Sequence, residues 1–393
     1  MVTRRALLRA TGGLAGICFT GMGSRLAGAD PIQSIQHLID DYTRRSLNEH
    51  GANVGVIAGI VTPDNVARNG QIISAGRETL TNPFGKRLEL NEHTPFEIGS
   101  ISKVFSSGIY YMLHGNYDGT LGSRLGRNIR LSEAMASITI KDLAIYRPGL
   151  AQDNRGGVYP PGTMASLPNL FRYMAGFTPP NPPGSCFAYS NVGWSLFGMA
   201  AVGLDSADTQ EFVRAYNAKL VKYCSAFSAP STQVFGPYLK PRLPQGYTKE
   251  FAPLPPTGGY QPTQAAGYAS GGVVSNGADM MRFLLYSMGR LPGGLNDAAL
   301  KSQQAETFRV TPCSGAGAGP VTSYGWFHAK LEAPSGETVV VNKNGGVAGF
   351  TSWMGFSSWQ GTGAPSSHGV FVLSNSPAST RIGTAAMKLL LRG

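Results

Sequence analysis

The sequence predicts an α/β domain that is built from both ends of the chain and interrupted by a mainly helical insertion. Apolar, β-branched runs typical of buried strands occur near both ends of the 393 residues, whereas the middle is rich in loops and helical pieces and lacks clear strands. We therefore assign residues 30–118 and 261–393 to the α/β domain and residues 119–260 to the insertion. Because 42% of the residues are hydrophobic, the chain can bury a sizeable core.

The elements of the α/β domain follow from periodicity. Apolar residues at helical spacing predict helices over 31 to about 48, 100 to about 114, 279–288 and 380–391. Apolar or alternating runs predict strands over 54–61, 71–75, 338–342, 350–356 and 369–373. In the insertion, a helix over 192–202 follows a stiff, proline-rich approach at 179–184.

Residues 1–29 are predicted to be an export signal peptide of the twin-arginine type. Arg4 and Arg5 precede a mildly apolar stretch, and small residues at 27–29 form a cleavage site just before Asp30. The alternative is a membrane anchor, but the stretch is shorter and richer in glycine than a spanning helix of about 20 residues. We expect a mature chain without a transmembrane segment, in the periplasm or outside the cell.

Charge and cysteine content limit the partners. The formal net charge of +11 would fall by four with the signal, and the remaining excess either serves solubility or favours anionic cell-envelope material. Nucleic-acid binding has no support, because no basic run is interleaved with aromatic residues. Cys186, Cys224 and Cys313 allow at most one intramolecular disulfide, and we expect all three to be buried as small apolar residues.

The first chemical motif is Ser100 with Lys103. On a helix these positions share one face, and Gly99 lets the serine open the helix without crowding. Ser100 can act as a nucleophile whose own N–H binds an oxyanion, and a desolvated Lys103 can accept its proton. The alternative is an ordinary amphipathic helix with both residues in solvent.

The second motif is Tyr189-Ser190-Asn191. A phenol is normally too weak a base, but two close ammonium groups would favour its ionised form. Tyr189 could then exchange protons with Ser100 and the leaving group, while Asn191 could hydrogen-bond Lys103 and a substrate amide. The alternative is a core tyrosine that precedes a capped helix.

The third motif is Lys343-Asn344-Gly345-Gly346. Lys343 on an edge strand could attract a substrate carboxylate, the two glycines would let a substrate backbone approach, and the Gly346 N–H could complete an oxyanion hole. The alternative is a glycine-rich hairpin turn with an exposed lysine.

In this order the three motifs resemble those of the serine β-lactamase and penicillin-binding-protein superfamily, Ser-x-x-Lys, Tyr-x-Asn and Lys-Thr-Gly, and specifically its class C branch. Further similar segments lie at 96–100, 183–193, 270–281, 324–326 and 349–353, so the resemblance covers roughly residues 35–391. Within the branch, the chain looks most like AmpH-type D-alanyl-D-alanine carboxypeptidase/endopeptidases. The resemblance implies a β-lactamase/transpeptidase-like fold, in which an antiparallel sheet is flanked by terminal helices.

The resemblance also implies site roles. Ser100 would be the acylated nucleophile, Lys103 and Tyr189 the proton-transfer groups, and Asn191 and Lys343 substrate contacts. The backbone of Ser100 and Gly346 would form the oxyanion hole. Two departures stand out. Asn344 replaces the family threonine, which changes the reach toward a substrate. The segment 146–150 replaces the His-Thr-Ser-Gly-Leu of many relatives, and we take it to be structural.

The predicted function is therefore a periplasmic serine DD-peptidase acting on peptidoglycan stem peptides through an acyl-serine intermediate. A class C-like β-lactamase, an esterase of the same fold and a non-catalytic peptidoglycan- or β-lactam-binding protein are the alternatives. No metal or cofactor is predicted, because the six histidines and the cysteines lack metal-ligand spacing and no phosphate or dinucleotide fingerprint occurs.

Overall fold

A large antiparallel sheet lies at the centre of the computed structural model. The structure describes residues 30–151, 162–163, 166–255, 267–291, 304, 306–313, 318–333, 336–358 and 366–392. Its strands are β1 (Val56–Val61), β2 (Gln71–Ala75), β3 (Thr79–Thr81), β4 (Arg87–Glu89), β5 (Phe96–Glu97), β6 (Gln233–Val234), β7 (Val273–Ser275), β8 (Phe308–Arg309), β9 (Val321–Thr322), β10 (Phe327–Ala333), β11 (Gly336–Val347), β12 (Phe350–Ser357) and β13 (Gly369–Ser374).

The α-helices of the described residues comprise two terminal helices, the helix that directly follows Ser100, and the helices between that one and the C-terminal helix. They are α1 (Pro31–His50), α2 (Ser102–His114), α3 (Leu121–Arg124), α4 (Glu133–Ala136), α5 (Ile140–Ala144), α6 (Leu167–Met174), α7 (Asn191–Ala201), α8 (Thr209–Ser225), α9 (Tyr268–Gly271), α10 (Gly277–Ser287) and α11 (Ser379–Leu390). The main sheet has the order β2-β1-β13-β12-β11-β10-β9-β8, and β5, β7 and β6 form a small second sheet.

Both faces of the main sheet are buried, and the alternation along its central strands shows why. In β1, Val56, Ala58 and Ile60 join one apolar cluster with α1 and α11, whereas Ile57 and Val61 join the other cluster. Successive side chains of a strand point to opposite faces, so a strand that is apolar throughout must be covered on both sides. The terminal helices α1 and α11 cover one face, and α10 packs on the other.

The second apolar cluster extends from the sheet into the helices between residues 119 and 255, and it surrounds α2. The helices α7, α8 and α9 all contact α2, whose residues from Ser102 to Tyr110 are buried. The first two turns of α2 are thus enclosed by the core on all sides, including the polar side chains of Ser102 and Lys103. The N-terminal end of α2 is therefore held rigidly where the helices meet the sheet.

The predicted fold class is confirmed: an antiparallel sheet with terminal helices is combined with a mainly helical middle segment. The exact domain boundaries stay a prediction. β2 has the predicted bounds, α1 runs two residues further than expected, and β1 begins at Val56 rather than at 54. The α-helix predicted from Ser100 begins at Ser102, because residues 99–101 form a 3-10 turn.

The largest difference concerns β11. The strand was expected to stop at residue 342, and an Asn-Gly-Gly sequence favours a turn, but β11 continues to Val347. The continuation pairs with β12, in the register Lys343↔Met354 to Val347↔Phe350. Tertiary pairing thus overrides the local turn preference.

The cysteines form the single intramolecular disulfide that three of them allow, and the expectation of burial is wrong only for Cys313, which is exposed. Cys186 and Cys313 form a disulfide across a sequence separation of 127 residues. Cys224 is a free buried thiol, as expected. The disulfide joins the segment that leads to Tyr189 to the segment that follows β8.

The predicted export signal, with Cys18 in it, lies outside the described residues. Among the residues that the structure does describe, no helix combines the length and apolar character needed to cross a bilayer. The same residues contain no group of three or more metal-ligating side chains.

Candidate active site

Ser100 lies in a tight 3-10 turn between β5 and α2, and its side chain is partly exposed. Gly99 adopts a φ of +51°, and a Cβ atom there would lie 2.5 Å from the backbone nitrogen of Gly346, so only glycine fits. Ser102 Oγ donates to the Gly99 carbonyl (2.6 Å) and accepts from Val273 N (3.1 Å). These bonds fix the turn that presents the Ser100 hydroxyl.

Lys103 is fully buried, and its ammonium joins three separate parts of the chain. Its Nζ donates to Ser100 Oγ (2.9 Å), to Asn191 Oδ1 (2.8 Å) and to the backbone carbonyl of Ser270 (2.6 Å). The three donor hydrogens of an ammonium can all be used by these acceptors. The prediction that Ser100, Lys103 and Asn191 meet is therefore confirmed geometrically, while the contribution of the Ser270 carbonyl gave no signal in the sequence.

Tyr189 lies beside both lysines. The centre of its ring is 5.0 Å from Lys103 Nζ and 5.3 Å from Lys343 Nζ. Ser190 caps α7 by accepting from Gly193 N (3.0 Å), which places Tyr189 just before the helix and Asn191 at its first position. The structure thus brings the phenol and the two amines into one cluster around Ser100.

Lys343 is buried on β11 and has neutral partners. Its Nζ donates to the carbonyl oxygen of Asn344 (2.8 Å) and to Asn344 Oδ1 (3.4 Å), and it lies 5.4 Å from the centre of the Phe327 ring. Burial lowers the pKa of Lys343 to about 7. Near neutral pH, a small change in pH therefore decides whether the Lys343 amine is charged or neutral. Nothing in the sequence indicates this shift.

The expectation of an edge strand is correct only locally. β11 lies inside the sheet, but its pairs with β10 end at Phe327↔Asn342, so the part from Lys343 onward extends beyond β10. This free side faces the turn that holds Ser100. An edge in this position leaves backbone N–H and C=O groups able to bind an extended ligand.

The two glycines of this segment differ in their surroundings. A Cβ atom at Gly345 would lie 2.0 Å from the Ile98 carbonyl, so Gly345 is needed for the strand to approach the nucleophile turn. Its role in the approach of a ligand stays a prediction. Gly346 and Asn344 are exposed. The Gly346 nitrogen lies against Gly99, next to Ser100 in the chain. Its part in an oxyanion hole stays a prediction.

One neighbour of the cluster was assigned no chemistry from the sequence. The ring of Tyr146 lies parallel to that of Tyr189, with 5.4 Å between the ring centres and 12° between the planes. Tyr146 is part of the segment 146–150 that we took to be purely structural. Tyr146 and Tyr189 are 43 positions apart in the chain, so their stacking depends on the tertiary fold and no local sequence pattern predicts it.

A partly exposed serine hydroxyl, bonded to a buried lysine and flanked by a tyrosine, is the arrangement of an acyl-transfer nucleophile with its proton acceptors. This site and the fold define the class of the protein as a serine hydrolase. The chain belongs to the Beta-lactamase family, whose pattern it matches over residues 49–391. The resemblance found in the sequence is confirmed at this level, and the narrower likeness to AmpH-type enzymes stays a prediction.

Solved structures with the same fold include both lactamases and carboxypeptidases. A class C β-lactamase is 17% identical with a TM-score of 0.68, over 93% of this chain and 99% of that one. The D-alanine carboxypeptidase AmpC from Burkholderia cenocepacia is 17% identical with a TM-score of 0.63, over 92% and 98%. A β-lactamase/D-alanine carboxypeptidase from Pseudomonas syringae is 18% identical with a TM-score of 0.64, over 91% and 98%. At these identities the likeness establishes the fold and not the substrate.

We predict that Ser100→Ala abolishes labelling by a fluorescent fluorophosphonate, a probe that reacts with activated serines. Lys103→Ala and Tyr189→Phe should each slow labelling by about 10²-fold or more, because proton-transfer groups contribute this much and act as a unit. Ser137→Ala, at an exposed serine outside the site, is the control and should label like the wild type. Labelling of Ser100→Ala at the wild-type rate would remove Ser100 as the nucleophile.

The pKa of Lys343 generates a second prediction. Below about pH 7 the ammonium attracts a carboxylate, and above it the neutral amine does not. The affinity of a carboxylate-bearing boronic acid, divided by that of its methyl ester, should therefore fall as the pH rises through 7. In Lys343→Gln the ratio should not depend on pH over this range. The same pH dependence in both proteins would show that another group binds the carboxylate.

Proposed function

We propose that the chain is a periplasmic or secreted serine hydrolase that forms an acyl-Ser100 intermediate and acts on the D-alanyl-D-alanine ends of peptidoglycan stem peptides. The observation that carries the proposal is the hydrogen-bonded series from Ser100 Oγ through Lys103 Nζ to Asn191 Oδ1, beside the ring of Tyr189. It supplies a nucleophile and the groups that would accept its proton.

In the proposed reaction Ser100 Oγ attacks the carbonyl carbon of the penultimate D-alanine, and its proton passes to the ionised phenol of Tyr189, or to Lys103 when that amine is in its neutral form. The N–H groups of Ser100 and Gly346 stabilise the negative charge on the carbonyl oxygen. When the carbon–nitrogen bond breaks, Tyr189 returns a proton to the leaving amine. Water then attacks the ester at Ser100, releases the shortened peptide and restores the hydroxyl.

A terminal D-alanine carries a carboxylate, and Lys343 supports its recognition. The Lys343 amine lies beside Tyr189 on the part of β11 that extends past β10. A protonated Lys343 in this position would orient the anionic end of the peptide. Two proteins of known structure with this fold are described as D-alanine carboxypeptidases, which supports the same substrate class.

A β-lactamase would form the same acyl-Ser100 and differ only in how fast water removes the acyl group. An esterase is favoured by one observation: Lys343 already donates to both carbonyl oxygens of Asn344 and has a pKa of about 7, which weakens its attraction for a carboxylate. A binding protein without activity would not need the proton acceptors that surround Ser100.

Export is part of the proposal. The arginine pair at Arg4 and Arg5 favours the twin-arginine route, and the Cys186–Cys313 disulfide suits an oxidising compartment outside the cytoplasm. Peptidoglycan lies in that compartment.

For the location, we predict that the protein recovered from the periplasm or medium begins at Asp30. Replacing Arg4 and Arg5 together by lysine should leave the uncleaved chain in the cytoplasm, because the pair is what the route recognises. Arg25→Lys, which keeps the pair, is the control and should be exported. Normal export of the double variant, measured by N-terminal sequencing of fractionated cells, would contradict this route.

For the substrate, one enzyme stock should be compared on a pentapeptide stem, a chromogenic cephalosporin and a short-chain nitrophenyl ester. We expect the highest kcat/KM on the pentapeptide, together with covalent labelling by a fluorescent penicillin that Ser100→Ala abolishes. A highest kcat/KM on the cephalosporin would make the protein a β-lactamase, and on the ester an esterase. No turnover and no labelling by the wild type would contradict the catalytic proposal.

A further inference from the structure

Tyr146 makes a direct contact with the proposed proton-transfer group, and its ring also packs against Phe327 and Trp194, with 4.9 and 5.5 Å between the ring centres. Its side chain is fully buried, and its ring stacks on Tyr189 with a centre separation of 5.4 Å. A parallel ring at this distance covers one face of Tyr189 and restricts its rotation about the Cα–Cβ and Cβ–Cγ bonds. The orientation of the Tyr189 phenol therefore depends on where Tyr146 is held.

The backbone of Tyr146 is held in an unfavourable conformation. It follows α5 with a φ of +65°, a region that aromatic residues rarely adopt. Its carbonyl oxygen accepts from Ala188 N (2.8 Å), one residue before Tyr189. A strained residue persists where the surrounding contacts require it, and such residues are concentrated at functional sites. Here the strain allows both the backbone and the ring of Tyr146 to contact the segment that carries Tyr189.

The hydroxyl of Tyr146 connects this contact to the helix of Lys103. It donates to the Gly325 carbonyl (2.7 Å), and Gly325 lies against α2, where a Cβ atom on it would be in van der Waals contact with the Lys103 carbonyl oxygen (3.4 Å). Burial, with a further contribution from Tyr189, holds the pKa of Tyr146 well above its ordinary value. Tyr146 is therefore a neutral donor with a fixed position relative to both proton-transfer groups.

We propose that Tyr146 is a positioning residue, which orients the phenol of Tyr189 toward Ser100 and Lys103 through the stacked ring. The inference rests on the proposed acyl transfer from Ser100 and adds to it the residue that sets its geometry. Tyr146 itself need not touch the substrate. Its effect should consequently appear in the acylation rate and not in the affinity of the initial, non-covalent complex.

The test compares Tyr146→Phe, which keeps the ring, with Tyr146→Leu and Tyr146→Met, which remove the stacking but remain apolar and buried. Acylation by a chromogenic cephalosporin, a pentapeptide and a nitrophenyl ester is measured by stopped flow, which separates binding from the covalent step. We expect about 10²-fold slower acylation in the Leu and Met variants, within the range that a small misplacement of a catalytic group produces. Tyr146→Phe should restore acylation to within about 5-fold of the wild type.

Tyr110→Leu is the matched control for a general loss of stability. Tyr110 is also fully buried, donates its hydroxyl to a carbonyl (Asp118, 2.9 Å) and stacks on another tyrosine, Tyr117, but it lies two helical turns from Lys103 on α2. Its acylation rate should stay within about 3-fold of the wild type, even where its melting temperature falls as much as that of Tyr146→Leu.

The decisive measurement is a double-mutant cycle with Tyr189→Phe. If Tyr146 acts by orienting the Tyr189 hydroxyl, adding Tyr146→Leu or Tyr146→Met to Tyr189→Phe should slow acylation by less than about 3-fold further. Full additivity in the cycle, or wild-type acylation by Tyr146→Leu alone, would overturn the positioning role and leave the proposed function intact. Absence of acylation of the wild type by all three substrates would instead overturn the proposed function, and the positioning role with it.

Discussion

The ammonium of Lys103 is the group on which the arrangement of the site depends. A charge that is removed from water must find partners, because an unpaired buried ion costs several kcal/mol. Lys103 bonds to Ser100 Oγ, Asn191 Oδ1 and the Ser270 carbonyl, which come from three distant parts of the chain. Moving any of them would leave a donor of Lys103 unsatisfied inside the core, so the same interaction that satisfies the charge also fixes the nucleophile.

The second lysine of the site is satisfied differently. The acceptors of Lys343 are the two carbonyl oxygens of its own neighbour Asn344, and burial brings its pKa close to 7. The protonation state of Lys343 therefore depends on the pH and on the charge of a bound ligand. The hydrogen bonds of Lys103, in contrast, go to three groups that are fixed in the fold. In the proposed mechanism, one amine with a fixed position would serve the chemical step, and the other, whose charge changes near neutral pH, would serve the recognition of the ligand.

The sequence predicts the fold and the chemistry-bearing side chains better than it predicts their supports. Ser100 and Lys103 are recognised because positions i and i+3 share a helical face, and Asn191 because it opens a helix after a capping serine. The Ser270 carbonyl could not be predicted, since every residue type carries one. Three cysteines permit three different pairs, so the Cys186–Cys313 bond is not readable from spacing. The continuation of β11 through two glycines depends on the partner strand β12, which local propensity does not include.

The segment that carries Tyr189 illustrates what these unpredicted contacts do together. On one side Ala188 N donates to the Tyr146 carbonyl, and on the other Phe187 N donates to the Thr311 carbonyl (2.7 Å), with the Cys186–Cys313 disulfide directly beside it. A short extended segment held from both sides has little freedom to move the phenol at its end. Catalytic groups that are already in place when the substrate binds need no reorganisation during the reaction, and this preorganisation is a large part of what an enzyme contributes. In the proposed mechanism, the strained turn at Tyr146 and the disulfide therefore support the proton-transfer geometry by holding the segment that carries Tyr189.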